Sequence, residues 1–167
     1  MGEENGEKNP FLFFADSTDK AFTETVRSGR LSEFSSFGWD TSIPDPFAEI
    51  SFKASVLDWD SARLDRGMKF NELYRDLIRL RTKYISGRKY IARRAAGGEN
   101  VIELRYGENF AVLLSYIDRR FQPGFWQPND VIMDTSDPKY GGTGSEKRSG
   151  SGQLIMEPYS AVAILRH

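Results

Sequence analysis

Hydrophobic and polar positions follow two different periods along this chain, helical in the first half and alternating in the second. In residues 66–85 (RGMKFNELYRDLIRLRTKYI), Phe70, Leu73, Tyr74, Leu77, Ile78, Arg81, Tyr84 and Ile85 form one helical stripe. Lys69, Glu72, Arg75, Asp76, Arg79 and Lys83 take the opposite side. Glu72 with Arg75 and Asp76 with Arg79 are opposite charges three positions apart, worth ~0.3 kcal/mol each. Burying the stripe contributes roughly 1.5–3 kcal/mol per large side chain before entropy is counted, so this helix must lie against something.

A second helix is predicted from residue 18, where Thr18 or Asp19 can cap it and Ala21, Phe22, Thr25 and Val26 share a face. Gly29 either ends it or lets LSEFSSF carry it on to about residue 36. Residues 38–49 form a proline-bearing loop. Asp45-Pro46 opens a short helical turn over 46–52, and another follows near 54–59.

From Ser86 onward the period is two. Residues 89–94, 100–107, 109–117, 130–134, 153–158 and 160–166 read as strands. Gly97-Gly98, Gly107-Glu108-Asn109 and Pro158-Tyr159-Ser160 supply turns between them. Short turns imply antiparallel pairing, and six or seven strands suggest a sandwich. The expected class is therefore α+β. Loops and helices occupy residues 1–87, and an antiparallel β-sandwich domain occupies 88–167. Residues 141–152 are rich in Gly and Ser and read as a surface loop.

Composition narrows the chemistry. The 167 residues are 39% hydrophobic and 13% aromatic with a formal charge of −1, which suits a globular core and argues against nucleic acid or an anionic membrane as partner. There is no Cys, and the one His is His167. Thiolate sites, disulfides and His-based triads are thus set aside, leaving carboxylates, Lys, Tyr or Ser for any catalysis. No glycine pattern marks a nucleotide site.

Several segments together resemble a known family. Met1-Gly2-Glu3-Glu4 followed by PFLFF-x-D (Pro10–Asp16) is similar to the stretch after the eighth barrel strand of α-amylase-superfamily glycoside hydrolases. GRLSEF (Gly29–Phe34), SVLDW (Ser55–Trp59) and the Leu73–Arg81 helix resemble the malto-oligosyltrehalose trehalohydrolases within it. The Tyr140-Gly141-Gly142 turn also resembles that of glycogen branching enzymes, a second branch. Asn5 and Ser17 depart from the pattern, standing where the family often has Trp and His.

The resemblance implies that Met1 is internal to a longer chain. Residues 1–87 would be the remnant of the last βα unit of a (β/α)8 barrel, followed by the β-sandwich. The family's nucleophile, acid/base and third carboxylate would all lie upstream. No catalytic residue, metal ligand or cofactor is then expected here, and the chain alone is expected to be inactive. In an intact relative the reaction is a two-carboxylate, retaining hydrolysis of an α-1,4-glucosidic bond that releases trehalose. Glu3, Glu4 and Asn5 would line the substrate cleft on the barrel's C-terminal face. The implied partners are an α-glucan or malto-oligosaccharide and the missing barrel portion, with self-association as the substitute. The implied location is the cytoplasm. The alternative is a non-catalytic α-glucan-binding module.

Individual residues carry competing readings. Asp58 and Asp60 flank Trp59 and could be paired glycosidase acids, but the plainer reading is a surface loop or helix cap anchored by a buried Trp. Phe125-Trp126 is either a sugar platform or a hydrophobic plug. Arg81 either snorkels from the stripe or pairs with a carboxylate. Lys147-Arg148 read as solvated charges.

Overall fold

The computed structural model describes residues 1–36, 38, 43–94, 100–123, 130–144 and 154–166, with only the backbone at 92–94. The alternating half forms one five-stranded antiparallel sheet. Its strands are β1 (Tyr90–Arg94), β2 (Val101–Tyr106), β3 (Phe110–Ser115), β4 (Val131–Asp134) and β5 (Ala161–Leu165). The order is β1-β2-β3-β5-β4. The first three strands are sequential neighbours, as short turns predict, whereas β5 inserts between β3 and β4. Phe110 pairs with Leu165 and Leu113 with Val162. Both strands are apolar on both faces, which suits the centre of a covered sheet.

The two faces have different covers. Ala111, Leu113, Val162 and Ile164 pack with Leu154 and Met156 on one side. Of the expected strand over 153–158, the described residues form isolated bridges, in one of which Met156 and Phe121 exchange backbone hydrogen bonds of 2.8 and 3.0 Å. Among the described residues, this sheet and bridge are what represent the expected sandwich. On the other side Phe110, Val112, Ala163 and Leu165 meet Leu73, Leu80, Tyr84 and Ile85 from the striped helix.

That helix is α3 (Asp65–Leu80), preceded by α1 (Lys20–Ser36) and α2 (Glu49–Ala54). A π-helical turn over Arg81–Ile85 extends α3, closed by the Ser86 N–H on the Arg81 carbonyl at 2.8 Å. Leu80, outside the predicted stripe, packs inward, and Ile78, within it, is 62% exposed. Tyr84 lies parallel to Phe110, with ring centroids 4.9 Å apart and 10° between planes. Arg81 is exposed at the rim of an apolar crevice of about 320 Å³ between α3 and the sheet. It forms no ion pair with a described carboxylate, which favours the snorkelling reading. No described helix is long and apolar enough to cross a membrane.

The Tyr-Gly-Gly turn locks α3 to the sheet. Asp137 caps a 3-10 turn over Pro138–Tyr140, accepting from the Lys139 N–H at 3.1 Å. This aims the buried Tyr140 hydroxyl at Asp76 Oδ2 (2.7 Å), which also accepts from Lys139 Nζ at 3.0 Å. Arg79 takes the other oxygen at 3.2 Å, as the sequence spacing predicts. Burial pushes the Tyr140 phenol above its ordinary value, so it remains a donor. The same hydroxyl, then Lys139, hold the Asp76 carboxyl below the usual range. Gly142 must be glycine, because a Cβ there would sit 2.0 Å from the Ser136 carbonyl oxygen.

Two outcomes follow from this lock. Tyr140→Phe removes a hydrogen bond to a charged acceptor and is expected to cost about 1.5–3 kcal/mol in urea unfolding. A cost near zero would show that α3 is not held there. Because folding depresses the Asp76 pKa, its contribution is complete above the ordinary carboxylate range and disappears as pH falls through the depressed value. The Tm gap between wild type and Asp76→Asn should therefore narrow on acidification below about pH 4. A gap independent of pH would remove that assignment. Gly142→Ala forces a backbone collision and should lower stability by at least about 2 kcal/mol, and wild-type unfolding of that variant would contradict the tight turn.

Candidate substrate-facing surface

Glu3, Glu4 and Asn5 form a single 3-10 turn between two left-handed glycines, Gly2 at φ 79° and Gly6 at φ 66°. A Cβ on Gly2 would lie 2.8 Å from Leu57, and one on Gly6 would lie 2.9 Å from Phe70 of α3. The glycines thus both turn the chain and let it press against the helix. Glu3 projects into solvent, while Glu4 and Asn5 are half-buried. Their side chains make no hydrogen bond or ion pair with described residues, so the turn presents unengaged polar groups. Nothing in the geometry assigns them a ligand.

Glu7 then pins the following segment. Its Oε1 accepts from the Lys8 and Asn9 N–H groups at 2.7 and 2.8 Å, and its Oε2 from the Asp58 N–H at 2.7 Å. The Asn9 and then the Asp58 amides hold its carboxyl below the usual range. Asn9 Nδ2 donates to the Val56 carbonyl at 2.8 Å, Leu12 N–H to Ser55 Oγ at 3.1 Å, and Ala15 N–H to the Pro46 carbonyl at 2.9 Å. Residues 7–16 therefore run extended across 45–58, held by side-chain capping rather than by a sheet ladder.

The Phe11–Phe14 run is not buried by this path. Phe11, Phe13 and Phe14 remain exposed, Phe13 beneath the Arg30 guanidinium at 4.5 Å and Phe14 edge-on to Phe52 at 5.3 Å. Phe14, Asp16, Phe47, Glu49 and Phe52 line a pocket of about 580 Å³. Its floor is braced from α1. Arg27 donates two 2.9 Å bonds to Asp45 and lies 5.4 Å over the Phe47 ring, and Phe22 meets the same ring edge-on at 6.3 Å. Arg27, then the Phe47 N–H, hold the Asp45 carboxyl below its ordinary value. Asp19 caps α1 as predicted, accepting from the Ala21 N–H at 2.9 Å, and Gly29 does not interrupt the helix.

Sequence reasoning did not single out this pocket, because its wall joins residues far apart in the chain. Its one local signal is the aromatic run ending in Asp16. Asp58 Oδ1 accepts from the Asp60 and Ser61 N–H groups at 3.1 Å, the geometry of a cap. Trp59 between them is 61% exposed, which corrects the expectation of a buried anchor; the turn is held by Asp58 instead. Phe125, Trp126, Lys147 and Arg148 lie outside the described residues.

Comparison with known proteins adds a direction. A malto-oligosyltrehalose trehalohydrolase of Rhizobium sp. (strain M-11) is 39% identical over 82 residues, 48% of this chain and 14% of that protein. The enzyme of the same name from Brevibacterium helvolum is 35% identical over 85 residues, 50% of this chain and 14% of its own length. That from Saccharolobus solfataricus is 36% identical over 88 residues, 50% of this chain and 13% of its own. This chain resembles the C-terminal portion of malto-oligosyltrehalose trehalohydrolase, a glycoside hydrolase of the α-amylase superfamily. The alignments thus span about one seventh of the trehalohydrolases they match. In fold, the chain superposes over its whole length on 27% of a Salmonella typhimurium protein assigned as an alpha amylase, with a TM-score of 0.70 and 23% identity. No family model matches the chain.

The Glu7 clamp is testable in solution. Glu7→Ala should speed amide hydrogen exchange at Asn9 and Asp58 while leaving the β3 and β5 amides protected. Unchanged exchange at both amides would dismiss the clamp.

Proposed function

We propose that this chain is a non-catalytic C-terminal portion of a trehalohydrolase-type enzyme. It braces a (β/α)8 barrel and presents part of its substrate-facing loop surface. The observation that carries this reading is the shared name of the relatives, each matched over about one seventh of its length. In that arrangement residues 1–87 finish the last βα unit of the barrel, and 88–167 form the C-terminal β-domain. The acids that cleave the α-1,4-glucosidic bond and release trehalose belong to barrel strands outside this sequence. Glu3, Glu4 and Asn5 then face the cleft, and the partner of the exposed apolar face is the barrel or, without it, a second copy of the chain. The setting is cytoplasmic, with α-glucan or malto-oligosaccharide as the substrate class.

A second reading, an α-glucan-binding module without chemistry of its own, is favoured by the exposed rings of Phe14 and Phe52 around an open pocket. The Tyr140–Gly142 turn also keeps a branching-enzyme origin open. Incubating the 167-residue chain with maltotriosyltrehalose should leave trehalose at the no-protein background. Release above that background would overturn the non-catalytic assignment.

A further inference from the structure

We propose that the crevice between α3 and the sheet binds a medium-chain alkyl carboxylate, its tail among the apolar walls and its head on Arg81. The inference goes beyond the proposed function and does not depend on it. The crevice holds about 320 Å³, at the lower end of the roughly 300–1,000 Å³ of small-ligand sites. Its place in the fold explains why it stays open. Leu77, Leu80 and Arg81 line it from the helix, between the two points at which the helix and its π-turn are fixed. On one side Asp76 is tied to the Tyr140 hydroxyl at 2.7 Å, and on the other Tyr84 is stacked on Phe110 at 4.9 Å. Across the gap the central strands carry the small side chains Val112, Ala161 and Ala163. A helix held at both ends of this stretch cannot settle into the space that those residues leave, and a slot formed in advance lowers the ordering cost of binding.

The chemistry of the lining selects the ligand. Apart from Arg81 and Thr135, the described lining residues are apolar or aromatic. Water in such a space finds few hydrogen-bond partners, so an alkyl chain displaces it favourably. No described lining residue is acidic, and the exposed Arg81 side chain makes no ion pair or hydrogen bond with a described residue. Thr135 Oγ1 accepts from the Ala161 N–H at 2.9 Å, and its own proton has no acceptor among the described residues. A cation and a hydroxyl donor in an otherwise apolar lining complement a carboxylate on an alkyl tail. A neutral sugar would strand its hydroxyls against hydrocarbon, and a cationic amphiphile would meet like charge at Arg81. The tail supplies most of the affinity, because an exposed ion pair is worth little by itself.

Titration of the full 167-residue chain with octanoate, followed by amide NMR shifts, is the test. Saturable shifts are expected at Leu80, Val112 and Ala163, with octanoate bound at least about threefold more tightly than hexanoate. The uncharged 1-octanol should bind about threefold more weakly than octanoate, a difference that added salt should shrink. Arg81→Gln should bring octanoate down to the level of octanol. Ala161→Leu fills the slot from the sheet side and should abolish binding of both. Circular dichroism melts establish that the variants fold, and the exposed position of Arg81 keeps the head-group test valid even where the filled slot costs stability. Shifts confined to the exposed rings of the N-terminal half would overturn the site. Equal affinity for octanoate and octanol, or binding undiminished in Ala161→Leu, would do the same. No saturable shift up to about 10 mM octanoate would also overturn it.

Discussion

Tyr84 of the π-turn rests flat on Phe110 of β3, and the packing of α3 on the sheet is organised around that contact. A sheet whose central strands are apolar on both faces needs two covers. The segment at 154–156 supplies one, and helix α3 with its π-turn supplies the other. Stacking contributes about 0.5–1.5 kcal/mol beyond the area it buries. The Asp76–Tyr140 bond then fixes the helix from its polar side, so α3 is held to the sheet half by an apolar patch and a charged hydrogen bond at once. Because an isolated helix of this length is marginal in water, that double attachment is what gives α3 a defined place.

The N-terminal half is held together differently. Its large side chains are mostly exposed, and α1 buries no residue. What shapes it is a set of polar ties: Glu7 to three backbone amides, Ser55 and Asn9 across the extended segment, and Arg27 to Asp45. Such ties specify geometry more than they stabilise, since exposed ion pairs are worth little each. A surface shaped by directional bonds and carrying uncovered aromatic rings is of the kind that meets another molecule.

Much of this architecture was legible in the sequence because it is local. Five of the six period-two segments became β1 to β5 within one or two residues while the stretch at 153–158 did not form a strand, Asp19 capped α1, and the Glu72–Arg75 and Asp76–Arg79 pairs formed as their spacing predicts. Glu3–Asn5 came into view only through the family resemblance, and the packing of Gly6 on Phe70 was not legible at all. The reading faltered where residues change partners over distance. Trp59 read as the buried anchor of a surface loop or cap, yet the aspartate cap holds its turn without it.

By itself, then, the sequence determined which stretches are helix or strand, which faces are apolar, and which superfamily the motifs resemble, since these depend on neighbours within a few positions. The tertiary structure alone decided that β5 lies between β3 and β4, that Leu80 faces inward and Ile78 outward, that Asp76 answers Tyr140 from 64 positions away, and that Phe14, Phe47 and Phe52 share one wall. Those outcomes depend on which of many equally apolar or charged groups meet once the chain closes on itself, and spacing along the chain carries no record of that choice.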